Sequence, residues 1–144
     1  LGNLKNISAK TEKLTKIKAN IFEFYNMTLE LDKILIVNVL VDVIQRPPNR
    51  ILKIVDEKGL LLWDWVNGGL KIYNSQTKKW QEFLPGEGYK GFNVEEMYEE
   101  EMKNVINSLK KEKKAVSTFE NELLTADVVL LAEKSSKLNS TIKI

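Results

Sequence analysis

From Ile34 to Gln45 the chain reads "ILIVNVLVDVIQ", β-branched or aliphatic at almost every position. Side chains branched at Cβ are stiff at χ1 and suit a pleated surface better than a helix, so the run predicts a long strand. Its odd positions, Leu35, Val37, Val39, Val41 and Val43, form an unbroken aliphatic face. The even positions Ile34, Ile36, Leu40 and Ile44 form a second apolar face, interrupted by Asn38 and Asp42. A strand apolar on both sides is expected to be covered on both. Pro47 and Pro48 cannot donate to a ladder and are expected to end it.

Shorter runs follow the same alternation. Asn3 to Ser8 predicts a short strand and Ala19 to Tyr25 a stronger one. Ile51–Asp56 and Leu60–Val66 predict two strands turning at Glu57-Lys58-Gly59. Asn67-Gly68 is a hairpin signal that returns the chain through Leu70–Tyr73, and "KWQEF" adds one more strand. Pro85 to Gly91 closes the strand region. The period then changes. Asn93 with Glu96 resembles a capping box, and Met97, Met102, Val105, Ile106 and Leu109 share one helical face. A second helix is expected from a cap at Ser117, with Glu120 three residues on, to about Lys137. Its buried stripe would be Leu123, Leu124, Val128, Leu131 and Ala132, with Asn139 as a left-handed end. Thr141 to Ile144 returns as a final strand. These elements predict an α+β fold: a mostly antiparallel open β-sheet with two helices packed on one face. Two helices leave the other face for something else to cover.

Length and composition narrow the function. The 144 residues suit one domain, 1–144. A net charge of +2, with Arg46 and Arg50 the only arginines, gives no electrostatic case for nucleic acid or a membrane. The absence of cysteine and histidine excludes a disulfide scaffold, a thiolate nucleophile and histidine acid–base catalysis. No apolar run reaches membrane-spanning length, and no signal peptide opens the chain, so a cytoplasmic location is expected.

The order of residues adds more. "NVLVDVIQRPPNR" followed by "ILKIVDEKGLLLWDW" resembles the C-terminal domain of the glucose–fructose oxidoreductase / inositol dehydrogenase (Gfo/Idh/MocA) family. "YEEEMKNVINSLKKEKKAV" and "TADVVLLAEKSSKLNSTIKI" are similar to the family's two closing helices and last strand. The sequence departs at Asp56 and Asn139, where relatives have glycine, and at Asn104, where many have histidine. The resemblance implies an NAD(P)-dependent oxidoreductase of a sugar or nucleotide sugar. Its NAD or NADP would be held by an N-terminal Rossmann domain outside this chain. The chain would supply substrate-side surface and oligomerisation; lacking the family's Glu-Lys-Pro motif and its Asp/His pair it would not be catalytic alone, and with the Rossmann domain elsewhere it would not bind cofactor itself. The alternative is a stand-alone, non-catalytic module that binds a protein partner through its sheet.

The candidate substrate contacts are Asp42, Gln45 and Arg46. The candidate interface, most simply of a homodimer, is Ile36, Asn38, Leu40 and Asp42. The aliphatic face from Leu35 to Val43 is expected under the helices. Arg50 could grip an anion, but solvation or pairing is the commoner fate of such a residue. For Trp63, Trp65 and Trp80, packing is the commoner use.

Overall fold

A computed structural model describes residues 2–66, 69–83 and 94–144, without the side chains of Ile34, Val94, Glu96 and Met97. The chain divides into two compact units. The first is Leu1–Ile44 with Val116–Ile144, and the second is Gln45–Ala115.

The first unit is a four-stranded antiparallel sheet with one helix. The strands are β1 (Leu4–Glu12), β2 (Phe24–Leu31), β3 (Leu35–Asp42) and β8 (Ile142–Lys143), in the order β3-β2-β1-β8. The register lines up Ile7, Leu29 and Val37 in one row and Ala9, Met27 and Val39 in the next. These rows face helix α2 (Phe119–Leu138), which lays Val128, Leu131 and Ala132 over them around the buried Ile7 and Met27. The odd positions of β3 therefore turn inward as far as Val39, as its alternation predicts. Val41 and Val43 are exposed.

The side of β1 away from β2 has an unusual neighbour. β8 pairs only with Asn6 and Ile7. Beyond that point the outward N–H groups of β1 need other acceptors. Two consecutive serines of α2 supply them: Ala9 N–H donates to Ser135 Oγ at 3.0 Å and Thr11 N–H to Ser136 Oγ at 2.9 Å. The Ser135 hydroxyl donates in turn to the carbonyl of Ser140 at 2.7 Å, tying the helix end to the turn before β8. Asn139 makes that turn with φ 49°, as the sequence predicts.

Several expectations need correction. Ala19–Tyr25 is not a strand up to Phe22; β2 starts at Phe24. The reason is Glu23, which is buried and folds the preceding loop onto its carboxylate. That carboxylate accepts from the N–H of Leu14 at 2.9 Å and from the N–H and hydroxyl of Thr15, each at 2.6 Å. β3 stops at Asp42, ahead of the prolines, because Asp42 Oδ1 takes the N–H of Ile44 at 3.1 Å. The cap of α2 is Thr118 rather than Ser117, its hydroxyl accepting from Asn121 N–H. Leu123 and Leu124 are exposed, so the buried stripe begins only at Val128.

The second unit is a meander of β4 (Ile51–Asp56), β5 (Gly59–Asp64), β6 (Gly69–Asn74) and β7 (Lys79–Phe83), followed by α1 (Val94–Leu109). The sequence predicts one sheet where there are two, and the helix layer on the first sheet is α2, with α1 in the second unit. The α+β class holds. Asp56 shapes the first turn by accepting the N–H groups of Lys58 and Gly59 at 2.8 and 2.9 Å. Gly59 has φ 153°, and a Cβ there would lie 1.8 Å from the Tyr73 carbonyl oxygen, so only glycine fits. The Asn67-Gly68 turn, the segment Pro85–Gly91 and the Asn93 cap lie outside the described residues.

Ser135→Ala should remove about 1–3 kcal/mol of stability by orphaning the Ala9 N–H and the Ser140 carbonyl. Urea denaturation followed by circular dichroism would measure it, with Ser136→Ala expected to cost less. Glu23 gives a pH prediction. The Thr15 hydroxyl, then the two backbone N–H groups, hold its carboxyl below the usual range against the opposing effect of burial. The unfolded chain therefore takes up this proton at higher pH than the folded one. The contribution is complete above the unfolded pKa and is lost as pH falls through the folded value. Glu23→Gln should flatten the acid limb of the stability–pH curve; an unchanged slope would contradict this role.

Candidate functional surface

The even positions of β3 lie on the sheet face opposite α2. Ile36 and Leu40 are 62% and 63% exposed, with Asn38 exposed between them. Three of the four expected interface residues are thus brought together on one outward strip, and Asp42 ends the same row. The neighbouring strands present polar groups on this face. Asn6 donates to Glu30 at 2.7 Å, Thr28 donates to the Asn38 side chain at 3.0 Å, and Lys10 pairs with Glu12 at 3.0 Å. The outer face is consequently an apolar strip on β3, an edge strand of its sheet, beside a polar field on β2 and β1. Such a mixture suits a partner contact better than a solvated surface would, since Ile36 and Leu40 gain most by being covered.

The proposed substrate contacts divide between the units: Asp42 belongs to the first, Gln45 and Arg46 to the second. Asp42 holds the Ile44 N–H, and the Arg46 guanidinium donates to the Gln45 carbonyl at 2.7 Å. Arg50 stacks over Trp65 at 5.2 Å, a cation–π contact worth on the order of 1 kcal/mol at an exposed site. Trp80 packs against its cross-strand partner Tyr73 at 5.2 Å between ring centroids. Neither contact is core packing: Trp80 is 48% exposed, and Trp65 meets a guanidinium. The backbone carbonyl of Asn104 accepts from the Ser108 hydroxyl.

Sequence reasoning passed over three residues in the first unit. Ser135 extends the Val128–Leu131–Ala132 stripe by one helical step, and a hydroxyl in a buried stripe is the signal that could have marked it. Glu23 had no such signal. Tyr25 donates to Glu133 at 2.8 Å, and burial, with this bond second, raises the phenol's pKa.

The described residues do not fit a dinucleotide. Both sheets are antiparallel, whereas the pyrophosphate site needs a strand–turn–helix unit of a parallel sheet. The first turn of α2 carries Glu120 and Glu122, which repel phosphate. One stretch of the sequence, Gly86-Glu87-Gly88-Tyr89-Lys90-Gly91, has the glycine spacing of the dinucleotide fingerprint. It lies outside the described residues, after the last strand of an antiparallel meander, and the spacing alone is a weak signal. No group of three or more metal-ligating side chains occurs among the described residues, and no helix there is long and apolar enough to cross a membrane.

No protein-family model matches the sequence, and no curated protein matches it significantly. Solved structures do match. An oxidoreductase domain protein from Kribbella flavida superposes with a TM-score of 0.83 at 15% identity, over 99% of this chain and 44% of that one. An oxidoreductase from Agrobacterium radiobacter, in complex with NAD+, L-tartaric acid and magnesium, gives 0.78 at 15% identity, over 99% and 44%. The WlbA dehydrogenase from Bordetella pertussis, in complex with NADH and UDP-GlcNAcA, gives 0.62 at 14% identity, over 100% and 41%. The chain therefore spans about two-fifths of the length of the proteins it resembles. Over that length it has the fold of these oxidoreductases, the fold that its resemblance to the C-terminal domain of the Gfo/Idh/MocA family implies.

Proposed function

We propose that residues 1–144 act as the C-terminal, substrate-side and oligomerisation domain of an NAD(P)-dependent oxidoreductase of the Gfo/Idh/MocA type. One observation carries the reading: nearly the whole chain superposes on about 44% of an oxidoreductase domain protein at a TM-score of 0.83. The remaining length of such a protein would hold the Rossmann domain and with it the NAD or NADP. Hydride would pass between a carbinol carbon of the substrate and the nicotinamide. A sugar or nucleotide sugar is the substrate class, supported by the sequence resemblance and by UDP-GlcNAcA in the WlbA dehydrogenase. Asp42, Gln45 and Arg46, at the end of β3 and just beyond it, are the residues proposed to reach the substrate. The protein would work in the cytoplasm.

The outer strip of Ile36, Asn38 and Leu40, with Asp42 at its end, is proposed to meet a second copy across a two-fold axis, sheet against sheet. A contact of this kind typically buries on the order of 1,600 Å².

Calorimetric titration of the isolated chain with NAD and with NADP should give no binding; a dissociation constant in the low micromolar range would contradict the proposed division of labour. The interface is tested by two variants of adjacent residues. Leu40→Asp should weaken self-association about a hundredfold or more while leaving the circular dichroism intact. Val39→Asp places an unpaired charge against Met27 under α2 and should destabilise the fold by about 3–5 kcal/mol. Light scattering that finds the unmodified chain monomeric at high concentration would remove the dimer from the proposal.

A further inference from the structure

The sheet's outer strip is not the sole surface of the first unit equipped for a partner. An open groove of about 730 Å³ runs where the end of β1 meets the last half of α2. Its apolar part is Phe22 and Leu130, which are 38% and 63% exposed. Phe22 is held in place: its ring meets Tyr25 edge-on at 6.1 Å, and the adjacent Glu23 is buried with three hydrogen bonds to the loop before it. The groove therefore presents a held aromatic ring with about two-fifths of its surface open.

The charges around it are lopsided. Lys10, Lys134 and Lys137 line the groove against two carboxylates, Glu12 and Glu133. Both carboxylates are engaged, Glu12 with Lys10 at 3.0 Å and Glu133 with the Tyr25 hydroxyl at 2.8 Å. The loop leading into Phe22, residues 13–22, adds Lys13, Lys16 and Lys18 and contains no acid. It also exposes Leu14, Ile17 and Ile21. Lys16, Lys18, Lys134 and Lys137 form no ion pair among the described residues. In a chain whose net charge is only +2, a groove lined by three lysines beside a held aromatic ring, entered by a loop with three more lysines and no acid, is a local feature with its own complement.

We infer that this groove binds an acidic protein segment carrying a bulky apolar side chain. The apolar group would cover Phe22 and Leu130, and flanking carboxylates would face Lys134, Lys137 and the lysines of the loop. Apolar burial would supply most of the affinity, while the charges would set orientation and rate of encounter.

The probe is a fluorescein-labelled peptide, Glu-Glu-Leu-Glu-Glu-Phe-Glu-Glu, titrated with the full 144-residue chain and followed by anisotropy. Saturable binding is expected, weaker in high salt. The double variant Lys134→Glu/Lys137→Glu should weaken it about tenfold. Lys110→Glu/Lys113→Glu, with the same change in net charge in the other unit, should not. Leu130→Ser, at an exposed position, should weaken binding too, as should alanine in place of the peptide's Leu and Phe. Circular dichroism checks that each variant folds. Absent or non-saturable binding would overturn the inference, as would equal losses from the two double variants or equal binding of a peptide with lysine in place of glutamate. Sedimentation with phosphatidylserine vesicles that responds to Lys134 and Lys137, when the peptide does not bind, would overturn it in favour of a membrane surface.

Discussion

The first unit depends on how the open side of β1 is closed. β8 is too short to cover it, and an unpaired N–H turned toward the core would cost most of a hydrogen bond's desolvation. Ser135 and Ser136 answer this with hydroxyls placed on consecutive residues of a helix, so that α2 serves as sheet neighbour as well as core layer. The Ser135 hydroxyl also holds the Ser140 carbonyl, which fixes where the chain leaves the helix and hence where β8 can pair. Few side chains in this unit are fully buried, so two or three such bonds carry unusual weight.

Docking α2 in this way decides which face of the sheet is inside. With Ile7, Met27 and Val39 turned to the helix, the alternation of β3 sends Ile36, Asn38 and Leu40 outward. The proposed meeting of this sheet with other protein surfaces rests on that polarity. The fold shared with oxidoreductases at 12–15% identity sets the framework, but a fold hosts many activities. What is particular to this chain is where its exposed apolar groups sit: an edge-strand strip on β3, and a lysine-rimmed groove where the end of β1 meets α2.

Much of this was legible in the residues. The alternation of Ile34–Gln45 gave the strand and its inward face, the β4–β7 meander was readable from its turn residues, and Asn139 marked the end of α2 correctly. The misses have physical causes. Ala19–Phe22 reads as a strand because apolar residues alternate there, but a buried carboxylate at Glu23 gathers the loop's N–H groups in competition with any ladder, and no local pattern announces a long-range acceptor. The division into two sheets depends on strand partners, which periodicity does not specify. Thr118 displaced Ser117 as the cap by one residue, within the usual uncertainty of helix ends. The groove was invisible because it joins Phe22 to Leu130, more than a hundred residues apart.

Hydrogen exchange at individual amides tests the central claim most directly. The Ala9 and Thr11 N–H groups face away from β2, so their protection can come only from the serine hydroxyls and the helix that carries them. The account predicts protection equal to that of the even-numbered β1 amides in the β1–β2 ladder. Exchange at Ala9 and Thr11 as fast as in the exposed loop 13–22 would mean that α2 does not close this edge, and would remove the basis for assigning the sheet's two faces.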